Sequence, residues 1–404
     1  MNLILLHKED LVVEGGDAYA VLEGRRHIHC QRVLKVKVGS RVRVGVAAAG
    51  VGEAEVVACE PQQTRLKLLE RIDLVAVTPP WDNVEVDLLL AMTRPKVLER
   101  ILQLCAVVGV RRIFLVCAAR TEKGFFSSSR LAAENLLEQL VLGLEQGMVT
   151  RPPELHVFAS WEGFLAATAA AEASAEAGGA ETEKQEQAPR ATDDANVFAH
   201  YLLPPLRLVA HPHTESTLPQ LLLRPVGEAV GPQQLRNDQR GDQQQQKHQQ
   251  LLPRAGVLLA VGPEGGWIPS EMELLQKQLR CLPFRLTDKV LKCETALTAC
   301  LTQLTLCYED PMFLPLLRSP DQVYAAAPAP KEGAATGPGG AQDPGIPSDV
   351  ERSDTHKRQG EREMLKAPGG FVMSFPRRYR TCREAEGQHQ QEQLQQQQDN
   401  HESA

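Results

Sequence analysis

Apolar and polar positions follow two different rhythms along this chain, and the rhythm changes near residue 80. Before that point apolar residues come in short runs or in strict alternation. Leu3–Leu6, Val42–Val46, Glu55–Ala58 and Arg65–Leu69 read as strands. Arg41-Val-Arg-Val-Gly-Val and Thr64-Arg-Leu-Lys-Leu alternate apolar with basic positions, so one strand face is buried and the other is cationic. Gly39-Ser40 and Gly50–Gly52 supply turns. The pattern predicts a small β domain, a barrel, over residues 1–75, with Thr78-Pro-Pro-Trp-Asp as a linker.

From residue 82 to 318 strand and helix signals alternate. Val86–Ala91, Arg112–Cys117, Leu206–Ala210, Gly256–Val261 and Phe284–Leu286 read as buried strands. Val97, Ile101, Leu104, Cys105 and Val108 form one stripe of a helix opened by Arg94-Pro95 and ended by Gly109. Leu137, Leu140, Val141 and Leu144 mark a second helix, Ser270-x-x-Glu273 a capping box for a third that runs to Leu279, and residues 294–306 a fourth. Alternating β and α predicts a parallel sheet covered on both faces. Three segments break the pattern: an Ala/Glu-rich stretch at 166–196, a Gln-rich stretch at 231–254, and residues 319–404. They carry too few spaced apolar residues to offset their ordering entropy, which predicts two surface insertions and a disordered tail.

Composition narrows the class. No apolar run of the 404 residues approaches the ~20 needed to cross a bilayer, which excludes an integral membrane helix protein. Nine scattered cysteines without a C-x-x-C pair read as buried thiols of a reducing compartment, with no zinc spacing. The first ten residues fit neither a secretory signal nor a transit peptide, so the cytoplasm is expected, or a plastid or mitochondrion if the N-terminus is incomplete. The net charge of −7 hides an uneven distribution. Gly24–Gly52 contains no acid but holds Arg25, Arg26, Arg32, Lys35, Lys37, Arg41 and Arg43. Such a face suits RNA phosphate, the alternative being a solvated strand face.

Three places carry candidate chemistry. Gly262-Pro-Glu-Gly-Gly266 follows the strand Val257–Val261 directly, where ligands bind in open α/β sheets. Its glycines admit a ligand to the backbone, or simply turn the chain. It is neither a dinucleotide loop nor a P-loop. Leu286-Thr-Asp-Lys-Val-Leu-Lys-Cys-Glu-Thr-Ala296 places two lysines and Glu294 at a strand–helix junction, either a site or a solvated helix start. Arg120, after the strand ending at Cys117, suits an oxyanion, RNA phosphate or plain solvent. His27-x-His29 and His211-x-His213 would each share a strand face, with RNA contact or packing preferred over metal.

Gly262–Gly266 and Leu286–Ala296 resemble the last two motifs of the RsmE family of SPOUT methyltransferases. Met92–Arg100, Leu144-Glu-Gln146 and Ala210-His-Pro212 resemble further blocks in the same order, and Met1–Leu6 and His27–Lys35 resemble the family's PUA-like RNA-binding domain. The resemblance implies a trefoil-knotted parallel-sheet α/β domain over 82–318, preceded by a PUA-like β-barrel over 1–75. It implies a homodimer that binds S-adenosylmethionine (SAM) and methylates N3 of a uridine in the decoding region of small-subunit rRNA, free or in the assembled subunit. Gly262, Gly265, Gly266, Leu286, Val290 and Leu291 fall where the family's cofactor loops lie, and the knot strands would end near Cys117, Val261 and Leu286. Uracil N3–H must lose its proton as the methyl group transfers, so a cation is needed at the carbonyls, with Arg120 the first candidate and Lys292 the second. Glu294 and Thr295 are expected as loop or helix anchors, and no metal is required. Thr287, Lys289 and Lys292 replace the family's usual glycine and arginines. These departures motivate two alternatives: a catalytically inactive ribosome-assembly factor, or a SPOUT enzyme acting on another RNA.

Overall fold

The computed structural model describes residues 2–69, 84–125, 128–179, 201–224, 255–310, 312–313, 316–327, 365–367 and 370–373. The linker at 78–82, the Gln-rich insertion, most of the Ala/Glu-rich one and most of the tail lie outside the described residues.

The N-terminal region is a curled six-stranded sheet of order β1-β4-β5-β6-β3-β2. Its strands are β1 (Ile4–Leu6), β2 (Leu11–Glu14), β3 (Asp17–Leu22), β4 (Arg41–Val46), β5 (Val51–Cys59) and β6 (Thr64–Leu68). Alternation in β4 and β6 sends Val42, Val44, Leu66 and Leu68 inward with Ile4, Leu6, Leu22 and Val56, while Arg41 and Arg43 face solvent. The β2–β3 hairpin turns at Gly15 and Gly16, both at positive φ.

One expectation fails here. Gly24–Arg32 is a helix, α1, and not a strand. His27 and His29 therefore do not share a face: His27 is buried against the Thr64 hydroxyl, 2.9 Å away, and His29 points elsewhere. Few apolar residues mark this helix, since it buries only His27 and Cys30.

The second region is the expected α/β domain. Six parallel strands run in the order β12-β10-β11-β7-β8-β9. They are β7 (Val84–Ala91), β8 (Arg112–Val116), β9 (Glu154–Phe158), β10 (Leu206–Ala210), β11 (Ala255–Val261) and β12 (Leu282–Phe284). The last strand ends two residues before the sequence reading placed it, so Leu286 lies in the loop beyond. Helices α2 (Pro95–Val107) and α3 (Ala133–Gly147) cover one face and α4 (Trp161–Gly179) the other. The Ala/Glu-rich stretch thus begins inside a helix, where Phe164, Ala167 and Ala171 pack on the sheet. Further helices are α5 (Leu218–Leu222), α6 (Pro269–Glu273) and α7 (Cys293–Glu309). Cys293, Cys300 and Cys307 form one buried stripe of α7.

Ordered chain continues past residue 318. In α8 (Pro320–Ala326), Ser319 and Gln322 cap one another, Val323 enters the core, and the Tyr324 hydroxyl accepts the Arg207 N–H at 3.1 Å. A hairpin, β13 (Leu365–Ala367) and β14 (Gly370–Met373), adds antiparallel to β9 and covers that sheet edge. Both lie in the stretch expected to be a disordered tail. A capped turn with one buried valine is too short a signal to stand out in that composition.

The two regions meet at the C-terminal end of α3. The N–H groups of Asn2 and Leu3 donate to the Glu145 carbonyl, both at 3.1 Å, and Ala48 N–H donates to Thr150 O at 2.7 Å. The Glu145 side chain, 1% exposed, pairs with Arg25 at 2.7 Å. Burial holds this carboxyl above the ordinary carboxylate range even though Arg25 opposes the shift.

Candidate active site

The carboxyl ends of β11, β7 and β8 bring together three loops that are remote in sequence. The loop after β11 turns tightly: Gly266 N–H donates to Pro263 O at 2.8 Å, and Gly266 has φ +71°. A side chain on Gly262 would stand 3.1 Å from the Trp267 indole, and one on Gly265 would stand 3.1 Å from Cβ and Cδ of Arg120. Gly262 and Gly265 thus sit in close approach to neighbouring side chains, and Gly266 is the residue the turn itself requires.

Arg120 reaches across from the loop after β8, its guanidinium donating to the Gly265 carbonyl at 2.6 Å. Among the described residues no carboxylate pairs with it, so its charge remains available to a ligand. From the loop after β7, Arg94 N–H donates to the Glu264 carboxylate at 3.0 Å, and Thr121 Oγ1 donates to Met92 O at 3.1 Å. Beneath them, Thr93 Oγ1 and the Trp267 indole N–H are buried with no hydrogen-bond partner among the described residues.

The other candidates are distributed as follows. Leu286 and Leu291 are half-buried, and Leu286 packs on the core. Val290 is 80% exposed, an apolar side chain held in solvent beside the loops. Lys292 is exposed as the N-cap residue of α7. The next residue, Cys293, donates its thiol to Gly262 O at 3.3 Å and so joins this junction to the glycine loop. Glu294 accepts from Arg100 at 2.9 Å, which ties α7 to α2, while Thr295 is exposed on the first turn. Lys289 pairs with Asp288 at 2.6 Å, and Thr287 bonds the same carboxylate.

The basic residues divide. Arg25 is committed to Glu145, and Arg26 to Asp10 at 2.6 Å and to the Leu5 carbonyl at 3.1 Å. Both hold structure. Arg32, Lys35, Lys37, Arg41 and Arg43 are exposed. Among them lie the exposed apolar residues Val33, Leu34 and Val38 and a groove of about 340 Å³ lined by Asn2, Leu34, Ser40, Arg41 and Arg43. Arg43 also touches Met148, the residue that ends α3.

Sequence reading missed the buried Glu271. It placed the capping box at Ser270 and Glu273. Ile268 is the N-cap instead, and its N–H donates to Glu271 at 3.1 Å. Pro269 at the first helical position was the available signal.

Residues 80–198 and 231–305 match the family model described as an RNA methyltransferase domain. The α/β region is similar to the RNA methyltransferase domain family. Among solved structures, this chain is similar to a Legionella pneumophila protein described as a methyltransferase and solved with SAM. Identity is 17%, coverage 76% of this chain and 98% of that one, and the TM-score 0.49. A ribosomal RNA small subunit methyltransferase E from Neisseria gonorrhoeae, solved with SAM, is 14% identical over 76% and 98% of the chains, with a TM-score of 0.46. The SpoU methyltransferase AviRb of Streptomyces viridochromogenes is 10% identical over 71% and 89%, with a TM-score of 0.28. No curated protein matches the chain significantly.

Proposed function

We propose that this chain is a SAM-dependent methyltransferase that acts on N3 of a uridine in the decoding region of small-subunit rRNA, as a homodimer with a trefoil-knotted α/β domain. The observation that carries the reading is Arg120. Its guanidinium bears no carboxylate partner among the described residues and is fixed on the carbonyl of Gly265, inside the region that matches the RNA methyltransferase family.

The residues present fit SAM. Gly262, Gly265 and Gly266 leave bare backbone at the strand end, Val290 offers an apolar contact, and two buried polar atoms, Thr93 Oγ1 and Trp267 Nε1, lie unpaired below. These glycines, with Leu286, Val290 and Leu291, would hold the cofactor, which supplies a methyl group already activated on a sulfonium. As the uracil N3 proton is lost, negative charge spreads to the flanking carbonyls, and in this reading Arg120 stabilises it. Lys292 supplies a second cation. Glu294 is occupied by Arg100 and serves as an anchor. Arg32, Lys35, Lys37, Arg41 and Arg43 give the N-terminal region, read as a PUA-like domain, its grip on phosphate.

The test is incubation of the purified full chain with methyl-labelled SAM and unmodified small ribosomal subunits, followed by mapping of the label. Label at N3 of one decoding-region uridine is expected. SAM binding with no label there moves the reading to another RNA, and no SAM binding removes the enzyme reading. Arg120→Ala is expected to lower kcat about 10²–10³-fold, the range for loss of one charge-stabilising donor, with a smaller effect on SAM affinity.

A further inference from the structure

Among the described residues, Glu271 is the carboxylate that lies wholly inside the protein at the carboxyl end of the sheet, 0% exposed. Its oxygens receive three N–H groups: one from the loop after β8, one from the first residue of α4 and one from the N-cap of α6. Oε1 accepts Ala119 N–H at 2.8 Å and the Trp161 indole N–H at 3.1 Å, and Oε2 accepts Ile268 N–H at 3.1 Å. Ala119 immediately precedes Arg120, and Ile268 lies two residues beyond Gly266. Trp161 opens α4, and its ring lies 5.7 Å from that of Trp267, which in turn packs on Gly262. One side chain thus fastens the loop that carries the cation to the loop that carries the glycines.

We propose that Glu271 is a positioning residue: its buried carboxylate holds the Ala119 backbone and the Ile268 backbone in fixed relation, so that Arg120 meets Gly265 before any ligand arrives. The inference rests on the reading of Arg120 as the charge-stabilising group. Glu271 touches neither substrate nor cofactor and acts through Arg120. Preorganisation of this kind matters because misplacement of a catalytic group by about 1 Å costs up to about 100-fold in rate.

Glu271→Gln keeps the shape but replaces one acceptor oxygen by an NH₂ group, which faces an N–H donor instead of accepting from it. Two measurements on the full chain test the proposal. Hydrogen exchange at 117–121 and 262–268 is expected to speed up together in Glu271→Gln, with α2 and the N-terminal sheet unchanged. Unchanged exchange in those two loops overturns the proposal whether or not the protein is active. Methyl transfer to small subunits is expected to fall about 10- to 100-fold in kcat. In an Arg120→Ala background the same change is expected to lower kcat less than about twofold, while the drop in melting temperature stays the same. Equal kcat losses in both backgrounds would make Glu271 merely structural and overturn the proposal. A wild-type chain that binds no SAM would instead refute the enzyme reading, and joint loosening of the two loops would still support the tie.

Discussion

Gly143 provides the sharpest test of how the α/β region is packed. It lies on α3 where α2 crosses, and a Cβ built there would stand 2.3 Å from the Gln103 carbonyl oxygen and 2.7 Å from the Ala106 Cβ. Ordinary contacts need about 3.5 Å between such atoms, so the two helices would have to separate by roughly 1 Å. The obstacle is backbone and cannot rotate away. Overpacking costs about 1–3 kcal/mol and sometimes more, with a rigid obstacle at the upper end. Alanine returns about 1 kcal/mol through helix propensity. Gly143→Ala should therefore destabilise the α/β region by about 2 kcal/mol, a fall of roughly 4–8 °C in its unfolding midpoint. Gly124→Ala is the matched control, since a Cβ there meets nothing within 4 Å. Its midpoint should stay within about 0.5 kcal/mol of wild type. Thermal unfolding followed by circular dichroism reads both. A Gly143→Ala midpoint equal to or above wild type would refute the close crossing of α2 and α3.

The joint between the two regions predicts a pH dependence. Because burial raises the Glu145 pKa in the folded chain, the native state binds a proton more tightly there than the unfolded one. The group's contribution to stability is thus greatest below its unfolded pKa and is lost as pH rises through its folded value. Acidifying from neutrality should recover stability at this site, and Glu145→Gln should abolish that part of the slope in denaturant melts. Arg25→Met removes the ion-pair partner and leaves the buried carboxylate with the Leu5 N–H, which should cost about 2–4 kcal/mol at neutral pH, the partly exposed partner softening the usual penalty for breaking a buried pair. On the exposed face, Arg43→Ala should weaken rRNA binding with a salt slope shallower by about 1, as for loss of one phosphate contact. Arg25→Ala should leave that slope unchanged, because the structure gives Arg25 a different task.

Elements with a strong single rhythm were legible in the sequence. The buried strands β7, β8, β10 and β11 and the striped helix α2 appear within a residue or two of the expected bounds. The β2–β3 hairpin was also written there, as Gly15-Gly16 between apolar runs, but its charged flanks masked it. Helix α1 was not legible, because polar residues occupy most of it and His27 does the burying that a leucine usually does. At the site, Gly262–Gly266 and Arg120 were visible as separate features. Their meeting was not, since the hydrogen bond that joins them spans 145 residues. Glu271 was invisible for a related reason: its meaning lies in partners drawn from Ala119 and Trp161, each more than 100 residues away.

If the proposed substrate is RNA, the position of the domain joint sets a ruler for it. Helix α3 begins beside the loops at the carboxyl end of the sheet and ends where Asn2, Leu3 and Arg43 attach. Its 15 residues at 1.5 Å each make the helix about 22 Å long. Within one chain, a free nucleotide can occupy only one end of this span. Engagement of both ends requires an RNA with enough folded length to carry its phosphates to one end of the sheet and its reactive base to the other.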